Sequence, residues 1–229
     1  KEFSEDKYLI AITKNGLIKK TALNEFDTKR TTGLIAINLK DEDELIAIKQ
    51  STGSNNIIIV TKKGKCISFS EKDVRPMGRI ASGVRAIKLD KDDEVVSMEL
   101  VEPEQQLMVV TENGFGKRTP VEEYKIQVRG GKGLLTYDKA KFSKTGALIG
   151  AMVVDESDEI LMINSDGIII RIRASEVSIL GRATQGVKIM KVDEGSKIVA
   201  IAKAIRDDEE EAEESSTSTS NETEEQISL

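Results

Sequence analysis

LMVVTENGFGKRTP, residues 107–120, is an apolar run, a polar turn ending in glycine, and a second run. Asn-Gly after a β-branched run is a hairpin signal, because glycine accepts the positive φ that a twist-matched turn requires. The pattern occurs three more times, as YLIAITKNGLIKKT (8–21), NIIIVTKKGKCISF (56–69) and EILMINSDGIIIRI (159–172). The turn glycines Gly16, Gly64, Gly114 and Gly167 are 48, 50 and 53 residues apart. A second glycine follows 17 to 19 residues later, at Gly33, Gly83, Gly133 and Gly186. Each repeat then closes with a polar turn and another apolar run: DEDELIAIKQ, KDDEVVSMEL, KTGALIGAMV and EGSKIVAIAK.

The stretches after the second glycine, such as GLIAINLK and GVKIMKV, alternate as half-buried strands do. Four strands in roughly 50 residues is the size of a propeller blade. Apolar runs of this length bounded by glycine are too short for helices, and ALNEF or PVEEY makes a helical turn at most. The expected fold is all-β and bladed, with blades over about 7–55, 56–106, 107–158 and 159–206. Residues 207–229 (DDEEEAEESSTSTSNETEEQISL) form a self-repelling acidic tail, expected to be disordered.

That tail explains a misleading total. The chain of 229 residues has a net charge of −6, yet residues 1–206 hold 34 basic against 30 acidic residues. With 38% hydrophobic and 32% charged residues it reads as a soluble globular protein. No stretch is apolar enough to cross a membrane, and KEFSEDKYLI at the start is no signal sequence. The single Cys66 suits a reducing cytoplasm, and a start at Lys1 suggests part of a longer chain. Without histidine there is no imidazole triad or ligand, and one cysteine makes no zinc knuckle. No Walker-type loop occurs, and acidic runs such as 41–44 and 90–94 read as solvated turns. No metal, cofactor or catalytic site is expected in this segment.

The cations are phased with the repeat. Lys19-Lys20, Lys65, Lys117-Arg118, and Arg171 with Arg173 follow the hairpin glycines. Arg30, Arg79, Arg129 and Arg182 precede the second glycines, with Lys29, Arg85 and Lys132 nearby. Equivalent positions on successive blades would make a basic stripe along the outer rim. Gly130 and Gly131 beside it would let backbone N–H groups approach phosphate. The partner implied is double-stranded DNA held by its backbone, with weak sequence preference and steep salt dependence. Eight aromatics and no Trp give no stacking platform, and no recognition helix is available. Tyr8, Tyr124 and Tyr137 are read as packing or surface residues.

The strings VVTENGFGKRTPVEEY, RTTGLIAINLKDEDELIAI, VRPMGRIASGVRAIKL and EVSILGRATQGVKIMKV closely resemble the C-terminal domain of the DNA gyrase A protein, over residues 8 to about 205. The resemblance implies a β-pinwheel, a propeller-like disc whose blades exchange a strand with their neighbour and whose rim wraps DNA chirally. It implies a parent ATP-dependent type II topoisomerase that introduces negative supercoils. The catalytic tyrosine, ATP and Mg sites of that parent lie on other regions or subunits. The implied partners are the N-terminal region of the gyrase A protein and the gyrase B protein, in an A2B2 complex in the cytoplasm on the chromosome. Gln127-Val128-Arg129-Gly130-Gly131-Lys132-Gly133 is similar to the family heptapeptide, close to QRRGGKG, which belongs to the first of usually six blades. Here it falls in the third of four repeats and reads as a degenerate copy, so the four look like the last four blades. The acidic tail reads either as a solubilising terminus or as a competitor for the rim. Two other readings are the equivalent domain of topoisomerase IV and a protein-interaction propeller, the latter disfavoured by the lack of WD or kelch motifs.

Overall fold

The structure is a computed structural model that describes residues 6–29 and 32–204. The expected tail, 207–229, and Arg30 lie outside the described residues. In the first repeat β1 (Tyr8–Thr13) and β2 (Leu17–Ala22) form an antiparallel hairpin, and β3 (Leu45–Ser51) pairs with the other side of β1. Gly16 turns the hairpin at φ 79°. The second repeat supplies β4 (Asn56–Thr61), β5 (Lys65–Ser70), β6 (Val84–Arg85) and β7 (Val95–Val101). The third supplies β8 (Gln106–Thr111), β9 (Phe115–Pro120), β10 (Leu134–Leu135) and β11 (Leu148–Val154). The fourth supplies β12 (Glu159–Asn164), β13 (Ile169–Arg173), β14 (Val187–Lys188) and β15 (Ile198–Lys203).

Each of the first three sheets takes its outer strand from the following repeat. The orders are β3-β1-β2-β6, β7-β4-β5-β10 and β11-β8-β9-β14, followed by β15-β12-β13. The strands β3, β7, β11 and β15 contact one another in succession at the inner edges. The short exchanged strands lie at the opposite, outer edges. Glycine permits the exchange: a Cβ on Gly83 would come within 2.6 Å of the Ile18 carbonyl, and one on Gly186 within 2.6 Å of the Gly116 carbonyl.

The apolar runs are continuous because the middle sheets are buried on both faces. Ile57, Ile59, Ile67 and Phe69 face a core shared with Ile10, Ile12 and Ile18 of the first sheet. Ile58, Val60 and Cys66, on the opposite face, share a second core with Leu107 and Val109. Met108 and Val110 face a third core with Ile160 and Met162. Each such side chain contributes about 1.5–3 kcal/mol on burial, so the cores between sheets hold the array together.

Two expectations need correction. GLIAINLK forms no strand, and the three equivalent stretches pair over only two residues each. A strand here exists through the preceding sheet's edge, and the first repeat has no preceding sheet among the described residues. The acidic runs are also more than solvated turns. Asp93 is 9% exposed and accepts from Thr61 Oγ1 (2.8 Å) and from the Lys63 and Glu94 N–H groups, clamping the hairpin turn. Asp43 does the same for Asn15 and Glu44. The helical turns appear as expected, as 3₁₀ segments at Leu23–Phe26 and Val121–Glu123.

Candidate nucleic-acid interface

The cations that follow the hairpin glycines mostly do not reach the surface. Lys19 and Lys117 are 1% and 0% exposed, and Lys20 and Arg118 are 4% and 3% exposed. The second strand of each of the first three hairpins is covered by the loop of the next repeat, and these cations hold that loop. Lys117 Nζ donates to the carbonyls of Gly181 (2.6 Å) and Arg182 and to Thr184 Oγ1 (3.1 Å). Lys19 Nζ donates to the Ala36 carbonyl (2.6 Å) and to that of Arg79. Arg118 Nε donates to the Val177 carbonyl at 2.8 Å, and its Nη1 to Gln106 Oε1 at 2.6 Å. Lys20 pairs with the fully buried Glu71 at 3.3 Å. The expectation that all phased cations line an exposed rim is therefore corrected for these four. Burial lowers the Lys117 ammonium to about 8, with Arg182 pushing the same way and Glu123 opposing. Lys19 is lowered by burial and by Arg79.

Lys65 is held by Asp90 at 2.8 Å, and Arg171 is ion-paired to Glu159. Lys65 first, by its hydrogen bond, and then Lys139 keep the Asp90 carboxyl below its ordinary value. Arg79, Arg129 and Arg182 are half-buried. Lys29, Arg85, Lys132, Arg171 and Arg173 are exposed. In the heptapeptide, Gly130 N–H donates to the Ala86 carbonyl (2.8 Å), so it does not face a ligand. Gly131 accepts from Lys88 N–H through its carbonyl, Gly133 has φ 73°, and Val128 is 85% exposed. Gln127 N–H donates to the Ser68 carbonyl (2.7 Å), which pins the loop to the second sheet. Tyr124 and Tyr137 are buried packing residues, the former bonded to Thr136 Oγ1 at 2.7 Å.

Sequence reasoning missed Arg75, Lys125 and Lys88, all exposed beside the same loops. Their signal was present, since Arg75 and Lys125 both stand eight residues before a second glycine. Successive outer edges thus carry exposed cations at repeated positions.

The bladed fold that carries these cations agrees with the comparisons to known proteins. The family described as DNA gyrase C-terminal domain, beta-propeller, matches residues 7–51, 55–102, 105–155 and 158–204. The chain belongs to the DNA gyrase C-terminal domain family. The A protein of DNA gyrase from Mycolicibacterium smegmatis is 41% identical over 213 residues, covering 91% of this chain and 25% of that protein. The chain thus spans about a quarter of the length of that curated relative. Among solved structures, a DNA gyrase A C-terminal domain superposes with a TM-score of 0.80 at 30% identity, covering 89% of this chain and 68% of that one. The C-terminal domain of a DNA topoisomerase IV superposes at 0.84 with 25% identity, covering 89% and 63%. The bladed all-β fold described above agrees with the family's description as a beta-propeller. Among the described residues no helix is long and apolar enough to cross a membrane.

Proposed function

We propose that this chain binds double-stranded DNA along its outer edge and bends it around the disc, as the DNA-wrapping part of a gyrase A protein. The observation that carries the reading is the in-register placement of exposed cations at the outer edges: Arg75 and Lys125 before the exchanged strands, Arg85 and Lys188 on them, and Lys132 between. Membership of the gyrase C-terminal domain family supports it. The phosphate-facing set we propose is Lys29, Arg85, Lys132, Arg171 and Arg173 with Arg75, Lys88, Lys125 and Lys188. The folded unit is four blades over about 7–206. The parent is an ATP-dependent type II topoisomerase of A2B2 composition in the bacterial cytoplasm, its ATP and Mg lying elsewhere.

Further blades beyond these four fit the open edges. Gly167 and Gly33, whose counterparts meet residues of a neighbouring repeat, have nothing within 4 Å among the described residues. Apolar side chains such as Ile48, Ile169 and Val199 are exposed on the two end sheets. Topoisomerase IV remains the second reading, on the strength of its TM-score of 0.84. The test is duplex binding across a salt series, followed by ligation of nicked circles with residues 1–229 and 1–206. Salt-sensitive binding with a shift in linking number supports wrapping, and a larger shift for 1–206 makes the acidic tail a competitor. Binding that ignores salt overturns the proposal.

A further inference from the structure

The half-buried Arg79, Arg129 and Arg182 share a geometry that the role of phosphate contact expected from the sequence does not explain. Arg79 Nη1 donates to the Ile35 carbonyl (3.4 Å), Arg129 Nη1 to the Arg85 carbonyl, and Arg182 Nη1 to the Leu135 carbonyl (3.1 Å). Each acceptor stands two residues past the second glycine of the preceding repeat. Arg85 and Leu135 are themselves in exchanged strands on the outer edges of the first and second sheets. Arg129 and Arg182 therefore span the gap between consecutive outer edges. A backbone bond repeats beside each one: Asn38 N–H to Ala81 O (3.5 Å), Lys88 N–H to Gly131 O (2.8 Å) and Asp138 N–H to Thr184 O (3.3 Å). Arg129 adds a second anchor, from Nε to the Asp73 carbonyl at 3.0 Å.

We infer that Arg79, Arg129 and Arg182 are positioning residues that set the angular step between neighbouring outer edges, and so the curvature imposed on bound DNA. At Arg129 the planar guanidinium donates from Nε and Nη1 to the Asp73 and Arg85 carbonyls as a rigid fork, a direction that an ammonium on a flexible stem does not fix. Lysine at these positions keeps the charge and loses the strut. The strut acts on DNA by placing whole outer edges, each with several exposed cations, of which Lys132 is one. Peptide carbonyls as acceptors also explain why these arginines are half-buried while Lys132 is exposed.

The inference rests on the DNA-binding reading, and the experiment separates the two. A duplex of about 60 base pairs, labelled at both ends, reports affinity, salt slope and end-to-end distance with the 1–229 chain. R129K/R182K is expected to keep the salt slope within about 0.3 of the parent while losing at least half of the DNA bend. K132Q is expected to do the reverse, lowering the slope by about 0.9 and keeping the bend. R129K alone serves if the double variant does not fold. No salt-dependent binding by the parent overturns the DNA reading and this inference with it. Binding by the parent with an unchanged bend in R129K and R129K/R182K overturns this inference alone.

Discussion

The third and fourth hairpins carry nearly the same pattern and end in opposite environments. In β9 the positions after the turn are buried from Phe115 to Thr119, whereas in β13 exposed and half-buried residues alternate. Arg118 and Arg171 occupy the same place, four residues after Gly114 and Gly167. Arg118 is 3% exposed and bonded into the following repeat, while Arg171 lies open against Glu159. What differs is the neighbour: β14 and residues 175–185 cover β9, and no repeat covers β13 among the described residues. A cation here is thus a structural anchor or a surface charge according to what the chain does some 60 residues later.

The largest effect expected from breaking that contrast is at the glycines. Gly186 (φ 78°) lies against the Gly116 carbonyl of β9, whereas Gly167 (φ 80°) faces open space among the described residues. Gly167→Ala bears only the left-handed backbone penalty, about 1–2 kcal/mol. Gly186→Ala must also push two backbones apart, bringing its loss to about 3–4 kcal/mol. Urea midpoints of the two variants measure this, and equal losses would show that the approach of the exchanged strand is not tight.

Next come the cations themselves. Lys117→Met leaves three acceptors of the 181–184 loop without their donor and is expected to cost about 2–3 kcal/mol. Arg171→Met removes one exposed ion pair and is expected to cost less than about 1 kcal/mol. A thermal melt in which Arg171→Met is the worse variant would contradict the assignment of anchor and surface roles.

Much of the fold is legible in the sequence, and the reason is local. Hairpin turns such as Asn15-Gly16 and Asn113-Gly114 are decided within a few residues, as are the 3₁₀ turns at Leu23–Phe26 and Val121–Glu123. The site is less legible because burial is set by the next repeat. Lys19 and Lys117 read as surface cations, since nothing within their own hairpins tells that a loop from residues 78–82 or 181–184 will settle on them. The stretch 34–39 fails as a strand for the same reason, its partner being another repeat's edge rather than its own sequence.

A pH series sharpens the contrast further. The Lys117 ammonium sits at about 8 in the folded chain against an ordinary 10.5, because burial disfavours its charge. Between these values the unfolded chain binds more protons than the folded one, so the Lys117 contribution to stability is expected to rise as pH goes from about 8 to 10.5 and to level off below 8. The rise attributable to Lys117 is on the order of 1–2 kcal/mol, allowing for solvent screening. It should vanish in Lys117→Met, and Arg171→Met should retain it, because arginine does not titrate in this range. An identical pH profile for the parent and Lys117→Met would place the ammonium in contact with water.

The smallest effect discriminates best between anchor and contact, because a salt slope counts phosphates rather than stability. Each exposed cation that meets a phosphate contributes about 0.9 to the dependence of log affinity on log salt. Arg171→Gln should lower the slope by nearly that amount, less whatever part of its charge Glu159 already holds in the free protein. Lys117→Met, in a chain kept folded below its melting temperature, should weaken binding by loosening the loop that carries Arg182, yet lower the slope by less than about 0.4. If both variants lower the slope equally, the ammonium of Lys117 reaches DNA in the complex, and the loop over β9 must lift on binding. If neither does, DNA follows the edges formed by β6, β10 and β14 alone and never crosses the face of β13.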